Sequence, residues 1–188
     1  MTHACVAPAV LATMVLALPV QQPVELSFSA DAGFDAALAE YSEIWDAEGG
    51  RIGDTLERIS GMQFPVSAVR VQVIDGPSWA GRSSMGMRAT YPVATKRATL
   101  AHELGHILIG DRIPDDAELD HHYVLFLFLY DTWVELWGAE FAVEQVAVES
   151  QRRGGVDYEG IWKLVLEKTE QQRANELETL IAEWAPEN

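Results

Sequence analysis

The alternation of apolar and polar residues predicts a small β-sheet near the start of the chain. Residues 23–30 and 66–75 alternate with a period of two and are expected to form two strands. Residues 80–97 are rich in Gly, Ser and Met, which indicates an irregular loop and an extended edge stretch that ends at Tyr91-Pro92.

Apolar side chains spaced three and four residues apart predict the helices. The first is expected to begin at an Asp31 N-cap and to bury Phe34, Leu38, Tyr41 and Trp45. Gly49-Gly50 is expected to end or interrupt it, with another helix over 52–61. Three more helices are predicted, over about 95–109 with Gly110 as the stop, 117–150 and 158–184. This order predicts a helix-dominated α+β fold with a small sheet.

Length and composition are those of a single globular domain. The chain has 188 residues, of which 48 % are hydrophobic, enough for a substantial core. We expect residues 31–188 to form this domain and residues 1–30 to form an apolar N-terminal segment. The net charge of −16 repels phosphate backbones and argues against a nucleic-acid partner. The single cysteine, Cys5, excludes an internal disulfide and a cysteine-based zinc cluster.

The N-terminal segment has two interpretations. Residues 1–22 contain no Asp, Glu, Lys or Arg, and the first Lys or Arg is Arg51, so the basic start of a signal peptide is missing. A packed appendage of a cytoplasmic protein is expected, with a secreted protein and a signal peptide over about residues 1–17 as the alternative. The apolar run over 4–20 is short for a membrane anchor, so a membrane-bound form is a weaker hypothesis.

The stretch over residues 99–111, TLAHELGHILIGD, carries the candidate chemistry. His102 and His106 lie one helical turn apart, so both imidazoles can reach one Zn²⁺. Glu103 projects about 100° round the helix from His102, where it can reach a zinc-bound water. This is the H-E-x-x-H spacing of zinc peptidases.

We call His102, Glu103 and His106 the triplet, and the helix that carries them the triplet helix. The residues around the triplet favour a metal site over a chance occurrence of the H-E-x-x-H spacing. One histidine on an apolar helix is usually a packed core residue. Here the helix is largely apolar, and burying two imidazoles and a carboxylate is costly unless something pairs with them. A bound metal provides that pairing, and Gly105 allows another segment to approach closely.

HELGH within an apolar helix, after an extended stretch and before a helix rich in glutamates, resembles the zincin metallopeptidases. The likeness covers about residues 66–150 and is specific at the five-residue core. The metzincin extension is absent, because Ile109 and Arg112 stand where that pattern has glycine and histidine. The resemblance therefore implies a small single-domain gluzincin, in which a glutamate from a downstream helix is the third zinc ligand.

Several acids are candidates for that third ligand. Glu135 shares a helix face with Gly138, Ala139 and Ala142, and small residues permit close approach to the triplet helix. The run from Glu135 to Ala142 also resembles the E-x-x-A-[DN]-x-F-A pattern of gluzincins, although Ala139 replaces the usual Asp or Asn. Glu140 is the alternative, and Asp131 is a further candidate.

The expected reaction is peptide-bond hydrolysis by a zinc-bound water that Glu103 activates as general base. A further side chain is needed to donate a hydrogen bond to the oxyanion of the reaction intermediate. Four side chains are chemically suitable: His121, His122, Tyr123 and Tyr158. Residues 84–92 are expected to pair with an extended peptide or protein substrate as an edge strand.

The alternative function is a metal-bearing scaffold with a binding or regulatory role. Glu103 argues against it, because a purely structural zinc site needs no acid there and is usually closed by a fourth protein ligand. The sequence does not indicate the cleavage specificity or the oligomeric state.

Overall fold

The computed structural model describes residues 24–114 and 119–184. Over these residues the chain forms six α-helices and one four-stranded sheet, which confirms the predicted helix-dominated α+β fold. The expectations for the signal peptide and the apolar appendage concern residues 1–23, which lie outside the described residues. Glu25–Ala30, which the sequence assigned to the N-terminal segment, forms a strand of the sheet, as its alternating pattern predicted.

The sheet has the strand order β1-β2-β4-β3. β1, β2 and β4 are parallel, and β3 runs antiparallel to β4; the strands are β1 (Glu25–Ala30), β2 (Ala68–Ile74), β3 (Trp79–Ala80) and β4 (Ser84–Arg88). β4 was expected at the edge but is an inner strand. A tight turn, in which Gly81 donates a hydrogen bond to the Ser84 carbonyl over 2.8 Å, folds β3 back beside β4. β3 is therefore the edge strand on this side.

The first helix, α1 (Asp35–Ser60), is continuous through the two glycines that were expected to end it. A side chain at Gly49 would collide with the ring of Trp45, so this glycine allows the indole to pack against its own helix. The predicted N-cap is also wrong: Asp31 instead accepts a 2.8 Å hydrogen bond from Gln72 on β2. Gly61 ends the helix with a φ of 71°.

The helix that carries the HELGH stretch, α2 (Val93–Ile109), forms as predicted and ends at Gly110 with a φ of 54°. Nearly all of its residues from Thr95 to Ile109 are buried. Met85 and Met87 of β4 are fully buried as well and belong to the same hydrophobic core. The candidate metal-ligating residues of α2 therefore lie on a rigid central element.

Both long C-terminal helices of the prediction are divided in two. The first comprises α3 (His121–Trp137) and α4 (Ala139–Glu149), which meet at Gly138 with a φ of 90°. The second comprises α5 (Tyr158–Leu166) and α6 (Glu170–Glu183), and a capping box at Thr169 starts α6. The predicted start near residue 117 lies outside the described residues. These breaks change the direction of the chain, so that α4 packs back against α2 and α5 packs against α3 and α4.

Among the helices of residues 24–114 and 119–184, none is both long and apolar enough to cross a bilayer.

Candidate metal centre

Two histidines of α2 form the first part of the candidate site. His102 and His106 lie one turn apart, and their ring centroids are 5.0 Å apart. His102 is almost fully buried, whereas His106 is partly exposed. Gly105 lies between them, and a side chain there would collide with Leu125 of α3. The glycine thus lets α3 pack closely against the helix that carries both imidazoles.

The third imidazole comes from the first turn of α3. The ring centroid of His122 lies 4.8 Å from that of His106 and 5.5 Å from that of His102. One ring nitrogen of each histidine can be chosen so that all three lie within 4.8 Å of one another. The sequence suggested His122 as an oxyanion donor and not as a metal ligand. Its position two residues after Asp120, an N-cap residue whose side chain accepts a hydrogen bond from the His122 backbone N–H, is the local signal that could have fixed its orientation.

Two of the three imidazoles, those of His106 and His122, are shifted towards the neutral form that can bind a metal. Burial and the neighbouring histidines hold the pKa of His106 well below its usual range. Burial and the neighbouring His102 also lower the pKa of His122, and these effects outweigh the opposing contribution of Asp120. A neutral imidazole offers a lone pair, and three such donors fit a catalytic Zn²⁺, which takes three protein ligands and keeps one open position.

Carboxylates lie beside two of the three rings. His102 Nδ1 is 2.8 Å from Glu149 Oε1, a close contact without the alignment of a linear hydrogen bond. His122 Nδ1 is 3.0 Å from Asp120 Oδ1. In both cases the carboxylate engages Nδ1, which leaves Nε2 as the ring atom for a metal. Such carboxylate partners fix the orientation and tautomer of metal-binding histidines.

Glu103 lies beside this group and is 4 % exposed. Burial raises the pKa of its carboxyl, and the negative charge of Glu149 acts in the same direction, against His102 and Arg152. The residue lines a cavity of about 410 Å³ together with the three histidines. A carboxylate with a raised pKa at the wall of a cavity is typical of a general base.

Tyr158 and Arg152 supply hydrogen-bond donors to the same cavity. The Tyr158 hydroxyl lies 3.0 Å from His122 Nε2, the ring atom that a metal would take. The guanidinium of Arg152 stands 5.6 Å from the centre of the Tyr158 ring and 3.2 Å from Glu149. Stacking of Phe126 on Trp162, with ring centroids 3.7 Å apart, anchors α5 and hence Tyr158 against α3.

The acids expected as third ligand lie elsewhere. Glu135 is exposed and pairs with Arg58 of α1, and Asp131 accepts a 2.8 Å hydrogen bond from Arg173 of α6. Glu140 is exposed in the first turn of α4. Glu135 follows His122 by about 20 Å along the axis of α3. The geometry therefore favours His122 over these acids as third ligand, because the end of α3 that reaches the HELGH helix is the one that carries His122.

The remaining polar candidates separate into two groups. His121 is exposed but lines the cavity. Tyr123 points away from it and donates a 2.6 Å hydrogen bond to Glu176 of α6. Of the oxyanion donors suggested by the sequence, the structure thus brings His121, His122 and Tyr158 to the cavity.

The chain was compared with protein-family models, curated proteins and solved structures, and no match was found in any of the three.

Proposed function

We propose that the protein is a zinc-dependent peptidase of zincin type, with His102, His106 and His122 as ligands and Glu103 as general base. The observation that carries this proposal is the position of Glu103. Its buried carboxyl lies beside three converging imidazoles at the wall of an open cavity. A structural zinc site has no use for such an acid and is normally closed by a fourth protein ligand.

The residues fit the proposed metal. Three imidazole donors match the nitrogen preference of Zn²⁺, and Glu149 and Asp120 hold two of them by Nδ1. When bound, zinc supplies a Lewis acid that lowers the pKa of a water molecule and polarises a substrate carbonyl.

Glu103 supplies the proton transfers. Its carboxylate accepts a proton from the attacking water and passes that proton to the nitrogen of the leaving amine. Because burial raises the pKa of Glu103, the carboxylate holds this proton more strongly than an exposed glutamate would. Tyr158 and Arg152 face the same cavity and are the candidate donors to the carbonyl oxygen as it gains negative charge.

A peptide substrate is favoured by the sheet edge beside the site. β3 is the last strand of the sheet, and Ser78, Trp79 and Ala80 line the cavity that holds Glu103. A strand at a sheet edge can pair with the main chain of an extended peptide. We therefore propose that β3 pairs with the substrate, the role that the sequence suggested for residues 84–92.

The proposal is tested with the Glu103→Gln variant, because the amide keeps the shape of the side chain but cannot accept the proton. Wild type and variant are loaded with one equivalent of zinc and incubated with a peptide library, and cleavage is followed by mass spectrometry. We expect the variant to keep its zinc and to lose about 10²–10⁴-fold in rate. Glu140→Gln, an exposed glutamate in α4, is the matched control and should cleave as wild type does.

Cleavage by zinc-loaded Glu103→Gln at the wild-type rate would remove the peptidase mechanism. The metal-bearing scaffold with a binding role would then be the better description.

A further inference from the structure

A second cavity adjoins the candidate metal centre. It has a volume of about 270 Å³ and shares Ser78, Arg152 and Tyr158 with the first cavity. Gly154 and Gly155 form part of its wall, and a side chain at either position would meet no neighbouring atom among the described residues. The two cavities therefore share a wall, and the second one has open space at its glycine side.

The charge of this second cavity is opposite to that of the whole protein. The chain has a net charge of −16 and only 13 Lys and Arg residues. Three of these, Arg88, Arg152 and Arg153, line the second cavity, which we call the arginine cavity. No Asp or Glu from residues 24–114 and 119–184 lines it.

Two of the three guanidinium groups have no carboxylate partner within the described part of the chain. Arg88 donates from Nε to the Thr90 hydroxyl over 3.1 Å and stands 5.5 Å from the centre of the Tyr91 ring. Arg153 is exposed and forms no ion pair with a described residue. Both guanidinium groups therefore retain donors for a ligand.

Arg152 connects the arginine cavity with the metal centre. It lies 3.2 Å from Glu149, which in turn contacts His102, and it also donates a 3.3 Å hydrogen bond to Thr99 of α2. Glu149 offsets the charge of Arg152, so the uncompensated positive charge of the cavity comes from Arg88 and Arg153. A planar guanidinium binds a carboxylate through two parallel hydrogen bonds.

We propose that the arginine cavity binds a carboxylate of the peptide substrate while a nearby peptide bond lies beside Glu103. This inference rests on the proposed peptidase function. The carboxylate has two possible sources, an Asp or Glu side chain and the C-terminus of the peptide. A peptide that occupies both cavities passes the shared residues Ser78, Arg152 and Tyr158.

Binding is measured first, without catalysis, on the zinc-loaded Glu103→Gln protein. Three probes are titrated: acetyl-Ala-Ala-Glu-Ala-Ala amide, its Gln counterpart, and acetyl-Ala-Ala-Ala with a free C-terminus. NMR signals of the arginine side chains report the contact. We expect at least one carboxylate probe to bind about tenfold more tightly than the Gln amide, because hydrogen bonds to charged groups are the stronger ones. The preferred probe identifies the source of the carboxylate.

Arg88→Gln/Arg153→Gln should remove most of this preference, and Arg153→Gln alone, on an exposed loop, should reduce it if the double variant does not fold. Arg70→Gln is the matched control, since Arg70 is exposed on β2 and lies outside both cavities. Equal affinity for all three probes, or a carboxylate preference that survives in the arginine variants, would overturn the proposal.

Cleavage of the same peptides by the zinc-loaded protein with Glu103 intact separates this inference from the proposed function. The ratio of kcat/KM for the carboxylate peptide to that for its neutral counterpart should be about ten or more and fall towards one in the arginine variants. Carboxylate-selective binding without any cleavage refutes the peptidase and leaves the arginine cavity. Cleavage with no carboxylate preference refutes the arginine cavity and leaves the peptidase.

Discussion

Oε1 of Glu149 lies 2.8 Å from Nδ1 of His102, and both side chains are 2 % exposed. Trp162 donates a 3.3 Å hydrogen bond to the other carboxylate oxygen. Burial alone would raise the pKa of Glu149, but the neighbouring His102, the charge of Arg152 and the hydrogen bond from Trp162 keep it below the usual value. Glu149 is therefore a buried anion placed to orient one of the proposed zinc ligands.

Glu149→Gln is expected to weaken zinc binding by about 10- to 100-fold, because loss of an orienting carboxylate has this effect at histidine-bound zinc sites. Zinc affinity is measured by competition with a chelator, and circular dichroism checks that the helices are retained. Glu144→Gln, exposed on the same helix, is the control and should bind zinc as wild type does. Wild-type affinity in Glu149→Gln would show that Glu149 has no orienting role.

His122→Ala should lose zinc while its neighbour His121→Ala keeps one equivalent. Only His122 belongs to the group of three converging ring nitrogens, although both residues line the cavity. We expect the affinity of His122→Ala to fall by more than about a hundredfold, beyond the range for loss of an orienting partner. Zinc content after dialysis of both purified variants measures this. If His122→Ala retained the metal, an acid of α3 or α4 would be the better candidate for the third ligand.

Glu135→Ala and Glu140→Ala should both retain zinc, contrary to the expectation from the sequence. The Glu135 carboxylate pairs with Arg58 at the surface, where both side chains are at least half exposed. Such pairs contribute about 0–1 kcal/mol, so Glu135→Ala should change the free energy of unfolding by no more than this. Metal analysis and urea titration of the two variants provide the test, and zinc loss in Glu135→Ala would contradict the ligand set.

The three residues that the sequence identified, His102, Glu103 and His106, lie on one helix, and local spacing alone sets their relative positions. The partners of these residues depend on where other elements return to α2. Gly138 looked like one small residue on a continuous helix face, yet it divides α3 from α4 and turns Glu149 towards His102. His122 could be placed only once the packing of α3 across Gly105 was known.

The same distinction applies to the fold. The period-two pattern of β2 and the apolar spacing of α2 were sufficient to predict both elements, because each buries a continuous face. The position of β4 in the sheet was not predictable, since it depends on the short turn at Gly81 that adds β3 outside it. The continuity of α1 through Gly49 was not predictable either, because it depends on packing of the Trp45 ring.

Away from the site, the stability of the protein should depend on pH through Glu48 of α1. Its carboxylate accepts hydrogen bonds from Trp137, over 2.6 Å, and from Arg97, over 2.8 Å. Burial would raise the pKa of Glu48, but the hydrogen bond from Trp137 and the charge of Arg97 outweigh it and hold the pKa below its usual range. The contribution of Glu48 is thus complete above the ordinary glutamate pKa, and it declines as pH falls through the lowered folded-state pKa.

Glu48→Gln should therefore lower the free energy of unfolding by about 1–3 kcal/mol at pH 7, and the difference from wild type should shrink in acid. Urea titrations of both proteins from pH 7 to pH 3 measure this. Glu43→Gln, exposed on the same helix, is the control and should follow wild type throughout. A difference that stays constant with pH would rule out the ionised carboxylate as its source.

The site draws its parts from three helices, with two imidazoles on α2, one on α3 and the orienting Glu149 on α4. Under the proposed function, zinc binds side chains from segments that are distant in sequence. The unfolded chain does not hold these side chains together, so it lacks the metal site. Binding is then thermodynamically linked to folding: free zinc at a hundred times its Kd adds about 2.7 kcal/mol to the free energy of unfolding. A chelator should lower Tm for this reason, and a ligand variant should melt early in zinc-containing buffer even where its packing is unchanged.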